Sequence, residues 1–245
     1  MPNDRISCFI QRLCQHGDLA HQSIEAVHAL PWRLIKRSKN SYVLREGDRP
    51  GEVSVLISGF AQRLKTTSEG TRQIVAFSVP GDPLDFECLF LDEADFSVQL
   101  CSSGTIACVR KDAVRALFET KPDLARAVTA ALLADAAKSR EWVMNVGRRD
   151  ARQRIAHLLC EIMASLKAQD MKTEPFELPF TQEQLADATG LTPVHVNRIL
   201  KQLSTEGAIL RTGRFISVPN WERLQDIGDF DERFLQMDLA KRPLG

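Results

Sequence analysis

No apolar run in the 245 residues approaches the ~20 that a membrane-spanning helix needs, so no membrane partner is expected. Nor is there a Cys-x-x-Cys pair. The six cysteines (Cys8, Cys14, Cys88, Cys101, Cys108 and Cys160) are loosely spaced, which argues against a zinc site or a thioredoxin-like motif. The opening MPNDRISCFIQRL has no basic region followed by an apolar core and a small-residue cleavage site. A cytoplasmic setting is therefore expected, with thiols reduced and by default buried or half-buried. Net charge is absent too, 32 Lys+Arg against 32 Asp+Glu, which excludes a protein that coats nucleic acid without regard to sequence. Residues 40–109 hold no histidine, so their β-prone runs lack the His/Asp/Glu cluster of a metalloenzyme. No catalytic residue, metal or cofactor is expected.

The length suffices for two domains with their own cores, or for one large one. Residues 5–30 read as helical, because Ile6, Phe9, Ile10 and Leu13 share a face. From Trp32 the texture changes to short runs of Val, Ile, Leu and Phe. Turn residues punctuate them at Gly47-Asp48, Ser58-Gly59, Glu69-Gly70 and Pro80-Gly81-Asp82. That pattern, continuing to about residue 109, predicts a sandwich or rolled barrel.

The period then switches. A short helix is expected over 111–119, and Pro122 opens a second that meets no glycine or proline until Gly147. Its ~25 residues would span near 40 Å, more than a small barrel needs as cover. Leu124, Val128, Ala131, Leu132 and Trp142 offer a seam for the same helix of a second copy, interrupted by Asp135 and Lys138. Packing wholly on its own barrel is the other reading. Gly147 is expected to end this helix and Asp150 to cap the next, whose buried stripe is Ile155, Leu158, Leu159 and Ile162. Arg148, Arg149, Arg152 and Arg154 between them read as a solvated face, from which one or two could reach phosphate or the barrel.

The stretch LTPVHVNRILKQLSTEG, residues 191–207, carries the most chemistry. Thr192 suits the cap, Pro193 the first helical position and Gly207 the closing left-handed residue. Turning about 100° per residue groups Val196, Ile199, Leu200 and Leu203 on a buried face. The same rotation turns Val194, Arg198, Lys201 and Thr205 outward, flanked by His195 and Asn197. Upstream, PFTQEQLADATG has capping-box spacing between Thr181 and Gln184, a short stripe of Leu185 and Ala188, and a break at Gly190. Helix, glycine turn and second helix make the helix-turn-helix pattern, whose second helix enters the DNA major groove. The following AILRTGRFISVP reads as a hairpin wing around Thr212-Gly213. Candidate DNA-binding residues are Thr181, Thr192, Val194, His195, Asn197, Arg198 and Lys201. Arg198 has the two donors that guanine accepts, and Val194 can pack on a thymine methyl. Residues 191–214 carry Arg198, Lys201, Arg211 and Arg214 against Glu206 alone, a basic patch on a neutral protein.

Taken together, REGD, LISGFAQRL, EGTRQIVAFSVPGD, RRDARQRIAHLL and FTQEQLADATGLTPVHVNRILKQLSTEGAI make the chain resemble the Crp/Fnr superfamily of bacterial transcription regulators over residues 30–225. The resemblance implies an α+β chain: a cyclic-nucleotide-binding-like β-roll, a long dimerisation helix and a winged helix-turn-helix. Expected divisions are N-terminal helices at 1–30, the roll at 31–119, the dimerisation helix at 120–148, the DNA-binding domain at 149–225 and a tail at 226–245. Expected partners are double-stranded DNA, at a palindromic site, and a second copy of the chain, with RNA polymerase as a further candidate. Members that bind cyclic nucleotides carry Gly-Glu-Leu and then Arg-Ser. Here LDFECLFLDEADFSV puts Phe96 before Ser97 where the arginine would stand. Control by cyclic AMP is therefore not expected, and the effector is left open. Cys8 and Cys14 fall short of the iron–sulfur members' ligand set, and His16, His21 and His28 on amphipathic helices are weak heme candidates. The nucleotide-responsive members' Arg-Glu-Thr is replaced by Pro193, Val194 and His195 while Arg198 is kept, which implies a different half-site. The competing reading is a redox or small-molecule sensor whose helical domain contacts a protein.

Overall fold

The computed structural model describes residues 6–171, 176–178, 180–213 and 215–237. Arg214 and tail residues 238–245 lie outside them. Contacts divide the described chain into two compact units, the first within Met1–Leu64, Phe77–Ala137 and Leu235–Gly245, the second within Lys65–Ala76 and Lys138–Phe234.

Helices α1 (Ser7–His16) and α2 (His21–Ala29) precede β1 (Arg33–Arg37), β2 (Tyr42–Leu44), β3 (Glu52–Ser58), β4 (Ala61–Thr66), β5 (Arg72–Ser78), β6 (Ser97–Leu100) and β7 (Gly104–Arg110). The strands form two sheets, ordered β1-β7-β3 and β2-β6-β4-β5. The two-residue strand period separates two cores. Val53, Val55, Ala107 and Val109 face helices, packing with Phe9 and Leu13 of α1. Leu56, Ile106 and Cys108 face the other way, toward Leu44, Val98 and Leu100 of the second sheet. Phe9 stands edge-on to Trp32 and Phe86, at 5.9 and 5.4 Å. Of the cysteines, Cys14 is exposed and Cys8 half-buried, while the other four are buried.

Helix α3 (Lys111–Thr120) leads into α4 (Pro122–Arg148), 27 residues or about 40 Å long. Two expectations for α4 are corrected. Gly147 does not end the helix, which runs through it to Arg148. The break comes from Asp150, which accepts from the Arg152 and Gln153 amides in a reciprocal capping box and so starts α5 (Ala151–Lys167). The expected seam also points inward. Leu124 (2% exposed), Val128 and Ala131 are buried, and Leu132 is half-buried. Leu124, Ala127 and Val128 belong to the core that holds Phe9 and Leu13. Trp142 (8% exposed) donates its indole N–H to Glu161 Oε2 of α5 at 2.9 Å.

The second unit is built around α5, buried at every residue from Ile155 to Leu166. Around it lie α6 (Gln182–Thr189), α7 (Pro193–Thr205) and α8 (Trp221–Gly228). Strands β8 (Phe176–Glu177), β9 (Leu210–Thr212) and β10 (Phe215–Ser217) form a small antiparallel sheet ordered β8-β10-β9. Backbone approaches backbone where α8 meets α5: a Cβ on Gly228 would lie 2.7 Å from the His157 amide nitrogen. His157 Nδ1 sits 3.1 Å from the Gly228 carbonyl, and its ring lies between Phe230 and Phe234.

The arginines around residue 150 are mostly not a solvated face, because the fold turns carboxylates and carbonyls toward them. Arg149 is buried, with Nη1 2.7 Å from Glu141 and Nη2 3.1 Å from Asp229. Arg152 pairs with Glu206. Arg154 donates to the Thr189 and Arg149 carbonyls at 3.1 and 2.9 Å. Arg148 alone of the four is exposed.

Candidate nucleic-acid interface

Local signals set the frame of α6 and α7. The Thr181 hydroxyl accepts from the Gln184 amide while the Gln184 side chain accepts from the Thr181 amide, so α6 begins with two orphan donors satisfied. Gly190 ends it at φ 66, a left-handed conformation that glycine enters without strain. Two residues later Thr192 accepts from the His195 amide at 3.2 Å, with Pro193 at the first position of α7.

The two faces of α7 are chemically opposite. Val196, Ile199, Leu200 and Leu203 are buried, and Val194, Arg198, Lys201 and Thr205 are exposed. Val194 is 81% exposed at the front of the helix. Such exposure gives up burial worth roughly 1.5–3 kcal/mol for an apolar side chain, so its place is not explained by stability. Arg198 Nη2 lies 2.9 Å from His195 Nε2, which holds the guanidinium along the helix surface.

Asn197 is placed differently from its neighbours. Its Oδ1 accepts from Gln182 Nε2 of α6 and from Arg211 Nη1 of β9, each at 3.2 Å. One amide oxygen thus ties both helices to the wing, and Arg211 also donates to the Gly213 carbonyl at 3.3 Å. Sequence reading grouped Asn197 with the outward residues and missed this tie, since a partner fourteen residues ahead leaves no periodic signal. Glu206, the one acid set against the patch, pairs with Arg152, which holds its carboxyl below the usual range. The surface of α7 is therefore more cationic than its composition suggests.

Residues 34–121 match the family model of the cyclic nucleotide-binding domain, and residues 153–227 that of the Crp-like helix-turn-helix domain. The chain is 28% identical over 193 residues to the transcriptional activator protein FnrL of Cereibacter sphaeroides, covering 76% of this chain and 77% of the relative. It belongs to the Crp/Fnr family. A second Crp/Fnr relative is the nitrogen fixation regulation protein FixK of Bradyrhizobium diazoefficiens, 27% identical over 177 residues, with 72% of this chain and 74% of that one covered. The solved FixK2 of Bradyrhizobium japonicum superposes with a TM-score of 0.75 at 24% identity, covering 81% of this chain and 98% of that one. The c-di-GMP-responsive regulator CLP of Xanthomonas campestris gives 0.63 at 19% identity, covering 82% and 100%. Both structures share the fold. As a Crp/Fnr protein the chain is a transcription regulator with a helix-turn-helix DNA-binding domain, and not an enzyme.

The nucleotide end of the roll can be tested on its own side chains. Arg63 of β4 is buried and reaches Glu87 at 2.9 Å and Asp135 of α4 at 3.0 Å. It also donates to the Pro83 carbonyl at 3.2 Å and lies 4.9 Å over the Phe96 ring. Burial pushes Glu87 above the usual carboxylate range even with Arg63 beside it. The Ser97 hydroxyl accepts from the Glu46 amide at 3.0 Å. A cyclic phosphate placed here would meet Phe96, two carboxylates and a guanidinium already paired.

Proposed function

We propose that this regulator binds a palindromic DNA site as a homodimer, without control by cyclic AMP. The exposure of Val194 beside Arg198, on a helix whose leucines are buried, carries the reading. An apolar group and a guanidinium at one helix front match a thymine methyl and the O6/N7 edge of guanine. Thr192 and Thr181, at helix N-termini, suit phosphate contacts, as do Lys201 and Arg211. His195 sits where it can orient Arg198, and Asn197 where it can hold the wing.

The long helix supplies the pairing surface through a stripe other than the inward one. Thr129, Leu133, Ala136, Arg140, Val143 and Gly147 are all exposed and alternate four and three residues apart, the spacing of a two-helix seam. Leu133 and Val143 are 65% and 74% exposed. A two-fold axis along this seam would present two α7 helices to successive major grooves, about 34 Å apart. The division into N-terminal helices, roll, dimerisation helix, DNA-binding domain and tail is part of the same proposal.

Selection of bound duplexes from a random pool, by wild type and Arg198→Ala, tests this. Wild type should enrich two inverted half-sites containing guanine, and the variant should lose preference at that guanine. Unchanged preference with retained affinity would overturn the assignment. Affinity should also fall steeply with salt as counterions are displaced, an effect that a protein-binding helical domain would not show.

A further inference from the structure

Between its sheets the roll keeps a cavity of about 270 Å³, small beside drug-sized ligand sites. It lies beside β1, which is an edge strand. Ile35, Val43, Leu44 and Ile106 give the apolar part of its wall, beside the Cys108 thiol. None of Arg63, Glu87, Phe96 or Asp135 lines it, so it is separate from the nucleotide end.

Four charged residues border the cavity, and two are already matched. Arg33 pairs with Glu52 at 2.6 Å. Arg37, exposed at the far end of the same strand, has no ion pair among the described residues. Asp85 is buried, accepting from the Ser54 amide at 2.6 Å and from its hydroxyl at 2.9 Å. An ionised carboxylate has about four acceptor sites, so two remain. Burial pushes Asp85 up to about 7 despite those bonds, so a second carboxylate beside it is costly. A neutral hydroxyl is better suited, able to donate to the carboxylate or accept from the acid.

The register spaces the two ends. Ser54, which holds Asp85, pairs with Cys108, and Cys108 pairs with Arg33. Arg37 is four residues further, about 13 Å along the strand, and β1 lies two strands from β3, about 9 to 10 Å across, so the diagonal is about 16 Å. Side chains reaching in from both ends leave the length of a short alkyl chain, with branched apolar side chains alongside.

We propose that this cavity is a binding site for a short aliphatic ω-hydroxycarboxylate, its carboxylate on Arg37, its chain against Ile35, Val43 and Ile106, and its hydroxyl on Asp85. Titrating 6-hydroxyhexanoate into the full chain without DNA, followed by calorimetry, tests it independently of the reading of α7. Saturable binding is expected, with hexanoate and 1,6-hexanediol at least about tenfold weaker, since each lacks one polar anchor. Arg37→Glu should weaken the hydroxy acid at least about tenfold and leave the diol unchanged, and Arg37→Gln should weaken the acid without reversing charge. No saturation up to about 10 mM, equal affinity for the three probes, or full affinity in Arg37→Glu would each overturn the proposal.

Discussion

The guanidinium of Arg198 rests 2.9 Å from the Nε2 of His195, one turn back on the same helix. For that contact the imidazole must be neutral with its proton on Nδ1, because a guanidinium has donors only. His195 therefore acts as a stop that narrows where Arg198 can point. Arg198→Ala should cost about 1–3 kcal/mol of discrimination at one guanine. His195→Ala should cost less, mostly as broadened preference, and His195→Gln, which keeps an acceptor, should restore part of it. Competition binding against duplexes altered at single positions measures all three.

Val194 gives a chemically narrow prediction. Replacing the contacted thymine by uracil removes only the methyl group, and affinity should drop for wild type but not for Val194→Ala. Because Val194 is 81% exposed, the substitution should leave thermal stability within about 0.5 kcal/mol. A uracil effect of equal size in both proteins would remove Val194 from the interface.

The two apolar stripes of α4 should separate in experiment. Leu133→Asp together with Val143→Asp should give a folded monomer in sedimentation, with weakened binding to a two-half-site duplex. Leu124→Ala should leave the oligomeric state alone and destabilise the fold by about 2–5 kcal/mol, because Leu124 fills a core.

His157 predicts an acid sensitivity. Burial, followed by the nearby Arg149 charge, lowers it from 6.5 to about 4. The unfolded chain then binds the extra proton between those values, so this contribution is complete above about pH 6.5 and lost as pH falls toward 4. Its size is at most about 3 kcal/mol. Thermal melts at about pH 7.5 and pH 5 should show a larger acid loss for wild type than for His157→Gln; equal losses would contradict the assignment.

What could be read from the sequence follows how local its cause is. Helix α7 was legible because its cap, its proline, its closing glycine and its two faces all lie within seventeen residues. The seam of α4 was not. Apolar residues stand on two of its faces, and only the arrival of Phe9 and Leu13, over 100 residues earlier, decides which is spent inside the chain. Arg149 likewise reads as one of a cationic run until Asp229, 80 residues on, folds back to it. Arg63 sits in the ordinary-looking strand segment AQRLKT, and its burial depends on Glu87 and Asp135 from two other elements. The roll's cavity has no signature at all, since it is a shape left between sheets.

The close meeting of Gly228 with His157 bears on how such a protein changes over generations. Beneath α7 the scaffold leaves no room for even one added carbon at that crossing, so drift there is penalised at once. The outward side of α7 carries no such burden. Val194 and Arg198 stand exposed there, so replacing them should alter what the helix can meet while the foundation under them stays still.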